Sequence, residues 1–191
     1  EERQRRAGEE AARRQTAGAT SRMGADDAVR KFLDDPKDAV RDMVLGMVAS
    51  SCGPELRILP GFPGIKVVVS AEIAAMGKEE RPVAVISGGG SGHEPAVAGY
   101  IGKGMLAAAV LGEVFASPSA EAVYRAIKAV TGDAGCLMVV MNYTGDRLNF
   151  GIAAERAKAE GLKVDMVVVG EDVAIEDAKM KRGLAGTILV H

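Results

Sequence analysis

Pro82-Val83-Ala84-Val85-Ile86-Ser87-Gly88-Gly89-Gly90-Ser91-Gly92-His93-Glu94-Pro95 is the stretch of this 191-residue chain from which the fold is read. Residues 82–87 are a short apolar run and predict a buried strand; the run then passes straight into small and polar residues, a loop following a strand. The same grammar repeats on both sides. Residues 65–70, 105–111, 136–141 and 163–169 read as strands, and 187–190 begin another. The continuous run at 136–141 predicts a strand covered on both faces. Between them, 95–101 predict a short helix, and Ser117-Pro118-Ser119 caps a helix through Val130 that carries Val123, Tyr124 and Ile127. Residues 146–160 predict a further helix. Strands alternating with helices imply an α/β fold: a layered, mostly parallel or mixed sheet of five or six strands flanked by helices.

Upstream, Asp35-Pro36 forms an N-cap and first-turn pair for a helix. Its apolar stripe is Val40, Met43, Val44, Met47 and Val48, with the methionines as core filler, and Cys52-Gly53-Pro54 closes it. Leu59-Pro60-Gly61-Phe62-Pro63-Gly64 is a turn-rich loop. Residues 1–24 hold six Arg and four Glu with almost nothing large and apolar, a composition that predicts a disordered or fraying extension. The four glutamates argue against a transit peptide. Order is expected from near Asp26, which gives an extension over 1–24 and an α/β lobe over 25–191. The chain opens on Glu1 rather than Met, as a fragment or processed product would.

The formal net charge of −2 gives no footprint for nucleic acid or an anionic membrane. No apolar run reaches the ~18 residues of a membrane span. Cys52 and Cys136 fit neither a disulfide framework nor a zinc site, so a reducing, cytoplasmic compartment is expected. Glycine is the outlier: 24 residues, seven of them between Gly88 and Gly104. A concentrated excess points to backbone brought close to a ligand.

Counting excludes the familiar glycine motifs. A phosphate loop needs Lys and Ser/Thr after its last glycine, but Gly92 is followed by His93. The dinucleotide pattern from Gly88 and the nucleophile elbow centred on Ser91 fail at the same position. What remains is a run, Gly90-Ser91-Gly92, whose backbone N–H groups can approach a polar ligand, with the His93 imidazole at its edge to donate, accept or transfer a proton. A second loop, Asn142-Tyr143-Thr144-Gly145-Asp146, also follows a strand. Asp146 suits an N-cap, but if the two strands are neighbours it shares a crevice with His93 and makes an acid/base pair for a substrate hydroxyl. Glu113 is placed to join the same rim or to be a solvated carboxylate. Glu171, Asp172, Glu176 and Asp177 are read as solvated surface, their spacing being unspecific for Mg²⁺, so no metal ligand is assigned.

Three further runs lie in order with these: Gly99-Tyr100-Ile101-Gly102-Lys103-Gly104-Met105, Gly112-Glu113-Val114-Phe115-Ala116-Ser117-Pro118 and Arg182-Gly183-Leu184-Ala185-Gly186-Thr187. Together with Lys31-Phe32-Leu33-Asp34-Asp35-Pro36 and the two loops, they resemble the substrate-binding domain of dihydroxyacetone kinases over roughly residues 28–191. The resemblance implies a phosphotransferase acting on dihydroxyacetone or glyceraldehyde. Mg–ATP would be held by a separate helical nucleotide-binding domain or subunit, and the assembly would be a homodimer. It implies that Gly90 and His93 hydrogen-bond the triose while Asp146 takes the proton of the hydroxyl being phosphorylated. Gly90, Ser91, Gly92, His93 and Asp146 are therefore the substrate-binding candidates, with His93 and Asp146 catalytic.

Two departures stand out. Many relatives carry a Lys that contacts substrate just before Asn-Tyr-Thr-Gly-Asp; here it is Met141, which lacks the ammonium and is not expected to serve the site. The family also holds its triose as a hemiaminal on a second histidine in a downstream glycine-rich segment, and His191 is not that residue. Residues 1–191 are thus expected to be a truncated lobe, inactive alone. Two alternatives share the fold: a non-catalytic triose-binding or regulatory homologue, and a bifunctional kinase that also cyclises FAD.

Overall fold

Six strands form one sheet in the order β1-β2-β4-β3-β5-β6. The computed structural model describes residues 35–50, 55–177 and 181–191. The strands are β1 (Leu56–Ile58), β2 (Val67–Ser70), β3 (Ala84–Ser91), β4 (Ala108–Val114), β5 (Cys136–Met141) and β6 (Val164–Val169). The helices are α1 (Ala39–Ser50), α2 (Ala71–Ala75), α3 (Ala120–Val130), α4 (Thr144–Ala159) and α5 (Ala185–Val190), with a 3₁₀ turn at Ala98–Tyr100. The β4–β3, β3–β5 and β5–β6 pairings are parallel; β1–β2 and β2–β4 are antiparallel. The sheet is therefore mixed, and β2 alone runs against the other five.

Alternation along the strands divides the core. Val67, Val69, Ile86, Val110, Met138 and Val140 lie beneath α3 and α4, where Val123, Ile127 and Phe150 meet them. Val68, Ala109 and Leu111 point the other way, against Val44 of α1 and the segment holding Val97 and Ile101. Met43, Met47 and Val48 are partly buried on that second face, so the predicted stripe packs as read. Asp35 caps a turn rather than the helix itself: its carboxylate accepts from Lys37 N at 2.9 Å, and α1 begins at Ala39. The extension over 1–24, the onset of order near Asp26 and the Cys52-Gly53-Pro54 stop lie outside the described residues.

The sheet corrects three expectations. First, the glycine run is not a loop after β3 but part of it: Gly88 and Gly89 pair with Val110 and Leu111, Ser91 with Val114, and Gly90 lies at the irregularity between them. Glycine is a poor strand former in general, but β3 is central, and its neighbours leave no room for side chains. A Cβ on Gly88 would lie 2.3 Å from Val110 O, and one on Gly89 would lie 2.3 Å from Met141 Cε. Second, the helix expected over 95–101 is a single 3₁₀ turn. Third, 187–190 do not begin a strand. β-Branched Thr187, Ile188 and Val190 favour one, yet Glu171 accepts a hydrogen bond from Leu184 N at 2.8 Å, and Ile188 N donates to Leu184 O at 3.1 Å, making a helix. Tertiary contacts outweigh propensity there. Among the described residues no helix is long and apolar enough to cross a membrane.

The connections fix where a ligand goes. From β3 the chain moves to β4 on one side; from β5 it moves through α4 to β6 on the other. Between the carboxyl ends of β3 and β5 the direction of winding reverses, which opens a crevice in sheets of this kind.

Candidate active site

The crevice holds a cavity of about 160 Å³ lined by Gly90, His93, Phe115, Ser117, Met141, Tyr143 and Asp146. That is several times the ~30 Å³ share of one liquid water, room for a small polyhydroxylated molecule. Three carboxyl-terminal strand ends supply it. β3 gives Gly90 and, just beyond, His93; β4 gives Phe115 and Ser117; β5 gives Met141 and leads into Tyr143 and Asp146.

Gly90 shows why this wall is backbone. A Cβ there would lie 2.7 Å from Ala116 N and 2.9 Å from Phe115 Cα, so β4's end closes directly over it. Gly92 turns the chain with φ +114°, a conformation open to glycine. His93 follows, half-buried, with its ring centroid 5.1 Å from that of Phe115.

Asp146 does not cap α4. The N-cap is Tyr143, whose side chain makes no capping bond, and Asp146 is the third helical residue. It is 3% exposed, and its Oδ1 has no hydrogen-bond partner among the described residues. Burial pushes its carboxyl above the usual range, while the Ser117 hydroxyl, donating to it, pulls the other way. Gly145 makes that contact feasible, since a Cβ there would meet Ser117 Oγ at 2.5 Å. The positive end of α4 also favours the charge. A buried carboxylate with a free oxygen, across a small cavity from an imidazole, has the chemistry to take a proton from a hydroxyl held between them.

The structure thus brings together Gly90, His93 and Asp146. It does not bring Ser91 or Gly92 to the cavity. Ser91 is buried with its hydroxyl donating to Gly112 O at 2.9 Å, and Gly92 N donates to the Glu94 carboxylate at 3.0 Å. Glu113 leaves the rim for an ion pair with the buried Lys66. Glu171 is not part of a metal cluster: burial works to raise its carboxyl, but donation from the backbone N–H groups of Leu184 and Gly186 prevails and lowers it. Asp172 pairs with Arg182 at 3.3 Å. Among the described residues no three His, Cys, Asp or Glu side chains are grouped to hold a metal ion.

Sequence reasoning missed Phe115, Ser117 and Tyr143, and it set Met141 aside. Met141 is in fact an apolar wall of the cavity, its methyl filling the space that glycine leaves at position 89. The signal lay in two quoted motifs, 112–118 and 142–146, whose other residues turn out to meet around the same space.

A family model described as the Dak1 domain matches residues 57–191. The chain belongs to the Dak1 domain family. It is 54% identical over 160 residues to the dihydroxyacetone kinase of Citrobacter freundii, covering 84% of this chain and 28% of that protein. It is 53% identical over 165 residues to a putative 3,4-dihydroxy-2-butanone kinase of Solanum lycopersicum, covering 85% of this chain and 27% of that protein. It is also 45% identical over 166 residues to the dihydroxyacetone-binding subunit DhaK of a PTS-dependent kinase of Listeria innocua, with coverage of 85% and 48%. Among solved structures, that of the native C. freundii kinase superposes with a TM-score of 0.78 at 54% identity, over 85% of this chain and 29% of that one. A dihydroxyacetone kinase operon co-activator, Dha-DhaQ, superposes with a TM-score of 0.68 at 36% identity, over 78% and 44%. The chain spans less than half the length of each of these curated relatives. Within the Dak1 match lie all seven cavity residues, from Gly90 to Asp146.

Proposed function

We propose that this Dak1 domain binds dihydroxyacetone or a close triose, and that it presents one hydroxyl for phosphorylation as the acceptor part of a glycerone kinase. The observation that carries the reading is Asp146: a nearly fully buried carboxylate with an unpartnered oxygen, lining a cavity with His93 and the bare backbone of Gly90. In this reading Gly90 and His93 hydrogen-bond the triose oxygens. Asp146 takes the hydroxyl proton as that oxygen bonds to phosphorus and the bond from phosphorus to the donor's leaving oxygen breaks, the remainder of the donor departing with the electron pair.

The described residues do not fit the phosphoryl donor, Mg–ATP. The glycine run ends in His93 where a phosphate loop carries Lys, and no carboxylate group is assembled for a divalent ion. The donor would be brought by a nucleotide-binding domain or subunit, in keeping with a relative named as a dihydroxyacetone-binding subunit. A purely regulatory role has support in the likeness to an operon co-activator, but identity to the kinase is higher, 54% against 36%. The buried free thiol of Cys136 suits a reducing, cytoplasmic setting.

The test is titration of the isotopically labelled protein with dihydroxyacetone, followed by NMR. The expected shifts gather at Gly90, His93, Ser117 and Asp146. Shifts gathered instead around Glu171 and Gly186, or none at millimolar triose, would overturn the proposal.

A further inference from the structure

We propose that Phe115 is a positioning residue for His93: its ring, held out by a strained backbone, fixes the imidazole at the cavity wall. The inference rests on the triose-site reading for its kinetic consequence, but not for its geometry. Phe115 is the one non-glycine residue with positive φ among the described residues, at 51°. For a bulky side chain that conformation is unfavourable and persists where the surroundings over-determine it. Core burial does not provide the reason, because Phe115 is 71% exposed.

The surroundings that do hold it belong to the His93 loop. Phe115 N donates to Ser91 O at 2.8 Å. The space a Cβ would need at Gly90 is taken by the Phe115 backbone, with its carbonyl carbon at 2.8 Å. The space a Cβ would need at Gly92 is taken by the ring itself, with Cε1 at 2.8 Å and Cζ at 3.0 Å. Two glycines flanking Ser91 thus make way for one phenylalanine. The ring then meets His93 at a centroid distance of 5.1 Å and an interplanar angle of 58°, within the tilted geometry that aromatic pairs favour. No described residue hydrogen-bonds the imidazole. Its nitrogens are left for a ligand, and the ring contact is what orients it. Moving φ of Phe115 into an ordinary region would swing the side chain away from both Gly92 and His93.

Two variants in the full-length protein test this. Phe115→Gly suits the backbone and deletes the ring; Phe115→Leu keeps bulk and strain but has no aromatic face. The KM for dihydroxyacetone is expected to rise roughly 3- to 10-fold in Phe115→Gly, the worth of one aromatic pair. Phe115→Leu should rise less, and kcat should change less than KM in both. The unfolding midpoint of Phe115→Gly should not fall below that of the parent, which separates lost positioning from lost folding. The His93 ring C–H resonances, read without triose, should shift in both variants. Unmoved His93 resonances, or a KM within about twofold of the parent, would overturn the proposal. If the parent itself shows no saturation with triose, the functional reading fails, and the His93 spectra alone decide the role of Phe115.

Discussion

Replacing Asp146 by Asn should separate the proposed base role from stability, because the burial that would make the carboxylate a stronger base is also a cost to the fold. An unpartnered buried oxygen costs roughly 1–3 kcal/mol, more when it carries charge. Asp146 has such an oxygen at 3% exposure. Against this, a carboxylate in the first turn of α4 gains about 0.3–1 kcal/mol from the helix terminus. The Ser117 hydroxyl can still donate to an amide oxygen. An Asn amide would leave unpartnered N–H groups where that oxygen lies, so only the cost of the buried charge is relieved: Asp146→Asn is expected to stabilise the protein by up to about 1 kcal/mol at neutral pH, an unfolding midpoint up to roughly 4 °C higher. Turnover of the full-length protein should fall by about 10²–10⁴, or roughly 3–5 kcal/mol in barrier height. The pH dependence has a definite sign. Burial raises the Asp146 carboxyl, so the folded state keeps its proton when the unfolded chain has released it. Native stability therefore falls as pH climbs from the ordinary carboxyl range, ~3.9, through the raised value. The variant lacks that loss, so its advantage should be small in acid and grow across that window. Calorimetry at several pH values and steady-state kinetics read both effects. Turnover within about fivefold of the parent, or destabilisation independent of pH, would reduce Asp146 to a charge at a helix end.

Gly88→Ala should destabilise by about 1–3 kcal/mol or more, since its Cβ would meet Val110 O at 2.3 Å and Phe150 Cζ at 3.0 Å. Gly46→Ala, in α1 with nothing within 4 Å, should instead stabilise by about 0.5–1 kcal/mol; urea unfolding of the pair distinguishes a glycine that packing requires from one that it does not. Arg81→Ala should cost roughly 2–4 kcal/mol, because the guanidinium donates to the carbonyls of Ala74, Met76, Ala129 and Thr131 and so ties α2 to the end of α3. Arg81→Lys should recover little of this, lacking the planar fork. Met141→Lys, which sets an ammonium beside the Asp146 carboxylate, should move the acid limb of the kcat–pH profile to lower pH; an unmoved limb would mean that Asp146 does not set it.

The legible parts of this chain were those in which local pattern and tertiary need agree. Cys136–Met141 is bounded as its apolar run suggests, and α3 starts where Ser119 accepts from Ala122 N at 3.2 Å. The 88–90 glycines were misread because strand propensity disfavours them, and only the positions of Val110 and Met141 across the sheet show why nothing larger fits. The 187–190 segment was misread in the opposite sense, its β-branched residues overruled by the hydrogen bonds that a distant Glu171 accepts from the backbone N–H groups at the start of the helix. In the site, His93 and Asp146 were visible as polar residues just past two strands. Phe115 and Ser117 were not, because their place depends on β4 lying beside β3 on the side away from β5, an order that the alternation of strands and helices does not encode.

That strand order also decides the electrostatics of the site. Asp146 meets an apolar wall at Met141 from β5, a neutral hydroxyl at Ser117 from β4 and bare backbone at Gly89 from β3. Among the described residues no Lys or Arg side chain pairs with it, and Lys66, which precedes β2 opposite Leu111 of β4, is already held by Glu113. The carboxylate is thus stabilised by a dipole and a hydroxyl rather than by a full positive charge, which leaves it more basic than an ion-paired aspartate. A stronger base suits the removal of a proton from an unactivated hydroxyl. Among the described residues no Lys or Arg lines the cavity. In the proposed reaction Asp146 would act as base toward a bound hydroxyl, and the positive charge that phosphoryl transfer needs would come from the nucleotide-binding partner.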